Sequence, residues 1–368
     1  IEPEVEVHVG IDRLLVELLV VVVAVLVAGF LAKLPDYFSI SPENYYARNA
    51  GFIAFLPLIA FLGWKRKLPF SNGLITSVVI AIAAFYINFL PGDFPDYGDT
   101  VVLAFIHLPL FLWFLFGSVF AGVKSKNVDD RMVFLRYNAD LVVVSILILI
   151  AGAILTGITF ALFATIEIDI QEFYFDYVVI HGLVGTPIVA NFVINKNPNL
   201  VHQVSPIIAR IFAPLVLLTV IAYLFSIVYT GKDPYNDREF LLIFNGLLIG
   251  VMGIVIFSIA EFKDTASRWN LFVTIGLTVM TIVVNAVALS AIGFRITEWG
   301  FTPNRTVVLG ENLLIFAHLI LIVSGLVQAM RHKTALDNVE SSVSRFLPLY
   351  GVWTMVVVFL FPVMHEFS

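Results

Sequence analysis

Apolar residues in this chain neither alternate with polar ones nor keep to one helical stripe; they run on. Stretches such as Leu18 to Phe30 and Leu141 to Ile150 show no two-residue alternation, so the short alternating strands of a membrane barrel do not fit. About 20 apolar residues in a helix cross roughly 30 Å of hydrocarbon. Windows of that kind recur at about 14–34, 48–64, 72–90, 100–122, 138–165, 177–195, 207–229, 240–261, 269–293, 306–330 and 346–365. The pattern predicts an all-α polytopic membrane bundle of about 11 transmembrane helices, read as one domain over residues 1–368. The fifth window is long enough to tilt or protrude, and the sixth is short and carries Gly182, Gly185 and Pro187.

Composition agrees with this. Hydrophobic residues make up 60% of the chain and charged ones 13%, against about 45–50% and 25% in soluble domains. Orientation follows from Lys and Arg, which collect in loops on the cytoplasmic side. With Lys65, Arg66 and Lys67 placed there, strict alternation puts 15 of the 21 basic residues on that side. They include Arg13, Lys124, Lys126, Arg131, Lys196, Lys263, Lys333 and Arg345. The opposite side holds only Lys33, Arg48, Lys232, Arg238, Arg295 and Arg305, among acidic loops with Asp93, Asp96, Asp99, Glu167, Asp169, Glu172 and Asp176. The C-terminus then lies outside. The chain opens at Ile1 rather than Met, and its acidic start from Glu2 to Asp12 reads as a loop. A further N-terminal segment is therefore expected.

Ionisable groups at membrane depth are costly unless paired or hydrated, so the few present are the candidates for function. Glu17 lies one turn into the first window, with Arg13 at i−4 or the interface as its expected partner. His107 stands in an apolar run before Pro109 and reads first as a structural histidine donating to a backbone carbonyl. His181 is either interfacial or lines a cavity. Asn304, Glu311 and His318 recur every seven residues, nearly two helical turns, and so share one stripe that Gly325 continues. Such a stripe either relays a proton or cation, or glues the helix to its neighbours. Asn88, Asn191, Asn245 and Asn285 are expected to act as interhelical glue. Gly152, Thr156, Gly157 and Thr159 suit close helix packing, and several of the five tryptophans suit the interfaces.

At the start of the fifth window, Arg136 and Asp140 are spaced i, i+4 with Asn138 between them. An ion pair anchoring that end is expected, worth about 0.3–0.5 kcal/mol. With Arg305 these residues form a candidate interfacial cluster for a lipid phosphate. The chain has no cysteine, and no metal site or cofactor is predicted. It contains no H-E-x-x-H, G-x-S-x-G or P-loop. Nucleic-acid binding has no basic surface to support it.

Phe134-Leu135-Arg136-Tyr137-Asn138-Ala139-Asp140, Ile211-Phe212-Ala213-Pro214-Leu215, Phe301-Thr302-Pro303-Asn304-Arg305 and Leu347-Pro348-Leu349-Tyr350-Gly351-Val352-Trp353 carry a resemblance. In these segments the chain is similar to a bacterial family of multi-pass membrane proteins, domain of unknown function 4153. The resemblance implies a helical protein of the bacterial inner membrane and transfers no catalytic residues. Three functions fit the residues. One is transport of a small solute or ion, with Glu311 and His318 as proton carriers. The second is a non-catalytic scaffold or sensor binding other membrane proteins. The third is an enzyme acting on a lipid-linked substrate, with Arg136, Asn304 or Arg305 at its phosphate. Expected partners are the lipid bilayer and a small solute or protein, not nucleic acid.

Overall fold

The computed structural model describes residues 2–122, 128–164, 168–230, 235, 238–262, 267–331 and 336–367. Within these, the side chains of 2–13, 161, 162, 164, 198–209, 226, 228, 230 and 238–243 are not described. Lys124, Lys126, Glu167, Lys232, Lys263 and Lys333, and the side chains of Arg13 and Arg238, thus lie outside the described residues.

The described chain is helical, without strands. Eleven long helices follow in order: α1 (Glu2–Phe38), α2 (Pro42–Lys65), α3 (Phe70–Phe89), α4 (Asp99–Ala121), α5 (Val128–Ala164) and α6 (Gln171–Lys196), then α7 (Pro198–Thr230), α8 (Arg238–Ala260), α9 (Arg268–Trp299), α10 (Pro303–Arg331) and α11 (Leu336–Met364). Among the described residues, nine are long and apolar enough to cross a membrane, while α7 and α8 hold shorter apolar stretches, Arg210–Phe225 and Phe244–Ala260. The first expectation to fail is the N-terminal loop, because α1 begins at Glu2.

Local chemistry sets the helix ends. Ser41 caps α2, its Oγ accepting from Asn44 N at 3.3 Å, and Pro42 occupies the first turn, where no N–H is needed. Ser267 caps α9 in the same way from Asn270 N at 3.1 Å. Gly300 ends α9 with φ 75°, a conformation that costs little only without a Cβ. Among the described residues two helices contain a π-helical turn, Tyr174–Val179 in α6 and Val356–Leu360 in α11. In α11 the wider turn comes just before Pro362, which has no N–H to return to Val358.

The chain forms two compact units, and α4 and α5 each contribute one part to either unit. In the first (1–96, 112–124, 140–201), α1 packs on α2 and α6 around Val21, Ala28, Phe61 and Ile188. The approach is close because glycine lies at the crossing: a Cβ on Gly185 would stand 2.7 Å from Val25, and one on Gly29 would meet the His181 ring at 2.0 Å. In the second (97–111, 125–139, 202–368), α9 packs on α8 and α10, and α10 on α11. Its buried seam on α9 includes Thr278 and Thr281, whose hydroxyls donate to the carbonyls of Thr274 and Leu277 in their own helix. Large apolar side chains point outward along whole helices, for example Leu19, Val22, Leu26 and Phe30 on α1. Exposure on that scale suits contact with lipid, not water. Gly152 and Gly157 belong here too. Among the described residues, no atom lies within 4 Å of a Cβ built on either, so the close packing expected of them is not made.

Candidate functional site

In the second unit the stripe on α10 faces α4 and α11. Val307 joins Leu103, Val357 and Phe361 in a buried cluster with Trp353 against it, which holds the three helices together. Glu311, partly buried, meets His107 of α4 through Oε1 and Nε2. Both residues lie eight positions past the first residue of their helices, Asp99 and Pro303, or about 12 Å of helix rise. The other ring nitrogen of His107, Nδ1, lies 2.7 Å from Leu103 O. The expected carbonyl bond therefore exists, but the histidine also has an acidic partner on another helix.

This geometry decides the proton count. A carbonyl oxygen only accepts, so Nδ1 must carry a proton. Nε2 and Oε1 then share a single proton, whether written as imidazolium with carboxylate or imidazole with carboxylic acid. In both descriptions the pair is neutral overall. Without that proton, two acceptors, Nε2 and Oε1, would face each other.

His318 lies deeper and turns to α11. Its Nδ1 is 3.1 Å from Tyr350 Oη, and its ring stacks on Phe346 at 4.4 Å and 13°. The residue is fully buried, and its Nε2 has no partner among the described residues. Trp353 likewise buries an unpartnered Nε1, its indole lying where a Cβ of Gly310 would be, 2.2 Å from Cη2. Asn304 is half-buried at the start of α10. The stripe thus sends Glu311 to α4 and His318 to α11. Tyr350 and Trp353 were missed as polar members of the site. Their signal was the spacing of Phe346, Tyr350 and Trp353, four then three residues apart, which sets three aromatic rings on one face.

A second polar group in the same unit is neutral. Asn312 Nδ2 donates to Asn245 Oδ1 at 3.0 Å, and Asn285 Nδ2 donates to Asn312 O at 3.1 Å, which joins α8, α9 and α10. Asn245 and Asn285 do act as glue, with Asn312 as their missing partner. In the first unit Asn88 pairs reciprocally with Asn49, whereas Asn191 accepts from Asn195 within its own helix.

The interfacial cluster does not assemble. Arg136 directs its guanidinium to Glu340 of α11, Nη2 lying 2.7 Å from each carboxylate oxygen, and Nε donates to Ala260 O. The expected i, i+4 partner Asp140 is instead buried, and Asn138 Nδ2 donates to Phe134 O of its own helix. Arg305 sits at the opposite end of α9 from Ala260. There it donates to the carbonyls of Trp299 and Gly300 and lies over the Trp299 ring, closing that helix end. A partly buried pair with two carboxylate contacts is worth more than an exposed one. A double-mutant cycle of Arg136→Ala and Glu340→Ala should give a coupling of about 1–3 kcal/mol in unfolding titrations. Asp140→Ala should show no such coupling to Arg136.

Glu17 has partners that the sequence did not single out, while the side chain of its expected partner Arg13 lies outside the described residues. Glu17 is buried, with Oε1 2.6 Å from Lys65 Nζ and Oε2 2.6 Å from Lys196 Nζ, so one carboxylate ties α1 to α2 and α6. At the other end of α1, Lys33 is equally buried and pairs with Asp36 at 2.5 Å and with Asp176 of the α6 π-turn at 3.5 Å. Among the described residues no group of three or more acidic or histidine side chains is placed to hold a metal ion. Compared with known protein families, curated proteins and solved structures, the chain matches none.

Proposed function

We propose that this multi-pass membrane protein moves a small solute or ion, with the His107–Glu311 pair as its proton-carrying element, across a bacterial inner membrane. Membership of the domain of unknown function 4153 family belongs to the same proposal. The observation that carries the reading is a titratable pair between two helices at membrane depth. If adhesion were all that was needed, neutral amides would serve at lower desolvation cost, as Asn245, Asn285 and Asn312 do in the same unit. A one-proton pair adds what an amide lacks, a contact between α4 and α10 that depends on a proton being present. Coupling of that contact to a solute needs only that the solute prefer one of the two states.

The test uses the full chain in proteoliposomes on a solid-supported membrane, under an imposed pH gradient. Amino acids, sugars, dicarboxylates and monovalent ions serve as probes. Wild-type protein should give a charge movement with at least one class, and Glu311→Gln should remove it while insertion and thermal unfolding stay near wild type. No charge movement with any class, or an unchanged response in Glu311→Gln, overturns the reading.

A further inference from the structure

In the first unit a cleft of about 520 Å³ opens among α1, α2 and α3. Known small-molecule sites span about 300–1,000 Å³. Its wall along α2 runs from Asn44 and Tyr45 through Arg48 and Asn49 to Phe52, Ile53 and Leu56. That face is about 18 Å long and changes from polar to apolar along its length. Leu31 and Leu34 of α1 and Ala84 of α3 complete the apolar part, and Asn88 and Asp93 complete the polar rim.

The rim is built rather than incidental. Arg48 donates to four carbonyl oxygens at the end of α3, those of Ile87, Asn88, Leu90 and Gly92, at 2.6–3.2 Å. This closes the C-terminal end of α3 and turns the chain so that Asp93 returns to the rim. Asp93 Oδ1 accepts from Asn44 Nδ2 at 2.9 Å, and Asn44 Oδ1 accepts from Phe94 N at 2.7 Å. Asn49 and Asn88 exchange amide hydrogen bonds with each other. With the guanidinium spent on carbonyls and the amides on one another, what the rim presents to a ligand is the second oxygen of the exposed Asp93 carboxylate. It is an acceptor, and it is negative.

We infer that this cleft binds one membrane lipid, an acyl chain lying along Phe52, Ile53 and Leu56 and a primary-ammonium headgroup donating to Asp93. A purely anionic headgroup would find its obvious partner, Arg48, engaged with backbone. The inference does not depend on the proposed transport, which rests on the other unit.

Native mass spectrometry of the full chain in detergent, titrated with phosphatidylethanolamine or phosphatidylglycerol, tests it. Wild-type protein should bind phosphatidylethanolamine about tenfold more tightly, and Ala84→Trp, which fills the apolar floor, should weaken that binding by about tenfold. Asp93→Asn should abolish the preference for the ammonium lipid while keeping chain binding. Leu34→Trp repeats the filling from α1 in case Ala84→Trp fails to fold, as judged by thermal unfolding. Equal affinity for the two lipids in wild-type protein overturns the proposal, because it signals annular lipid only. So does unchanged phosphatidylethanolamine binding in a folded filled-cleft variant.

Discussion

Replacing Glu17 with leucine should destabilise the protein by about 3 kcal/mol, a loss well beyond that of an exposed ion pair. Both carboxylate oxygens are engaged at 2.6 Å, each by a lysine from a different helix, and the glutamate side chain is only 5% exposed. Leucine would leave Lys65 and Lys196 facing each other without a counter-charge. Their side chains are 20% and 33% exposed, so both can stretch toward water, and this holds the cost near the lower end for a broken buried pair. The single changes Lys65→Met and Lys196→Met should each cost less than Glu17→Leu, because one lysine still neutralises the carboxylate. The double change should cost more than the two singles combined, since it strands a buried carboxylate. Detergent-mediated unfolding of the four variants measures all of these. Additive lysine effects, or a Glu17→Leu loss below about 1 kcal/mol, would show that water, not lysine, solvates this carboxylate.

The same residue shows where sequence reasoning stops. A run of apolar residues identifies a helix because the bilayer demands an internally hydrogen-bonded backbone, and this requirement is local. All eleven helices were legible for that reason, including the short sixth. Which helix lies against which is not local. Lipid tails are as apolar as leucine, so hydrophobicity does not rank one helix pairing above another. Local spacing offers Glu17 only Arg13 or the interface, and Arg136 only Asp140, and it misses the partners at 48, 179 and 204 residues' distance. The seven-residue spacing of Glu311 and His318 was readable because it is a property of one helix. His107 was visible as a lone histidine, but its pairing with Glu311 needed the neighbourhood of α4 and α10. Asn312 escaped notice beside Glu311, since nothing local marks the helix face that meets Asn245.

Gly310→Ala should show how tightly this neighbourhood is fitted. The Cβ it adds would stand 2.2 Å from Cη2 and 2.3 Å from Cζ2 of Trp353, well inside contact distance. Trp353 has little room to retreat, as its ring packs against the Leu103, Val307, Val357 and Phe361 cluster. Overpacking of this kind costs about 1–3 kcal/mol. The change also gains about 0.5–1 kcal/mol because alanine favours a helix over glycine. A net loss of up to about 2.5 kcal/mol follows, with α11 displaced from α10 one residue away from Glu311. Trp353→Phe removes the atoms that clash and also the buried Nε1, which has no partner among the described residues. Its own cost should be modest, because deleting an unpartnered donor offsets part of the lost contact. The double variant should then be more stable than the sum of the singles by about 1–2 kcal/mol, a coupling that thermal unfolding in detergent can resolve. Additive losses would mean that the indole relaxes elsewhere and does not set the spacing of α10 and α11. A restored double variant would place the control of that spacing in one ring, adjacent to the glutamate on which the proposed proton chemistry depends.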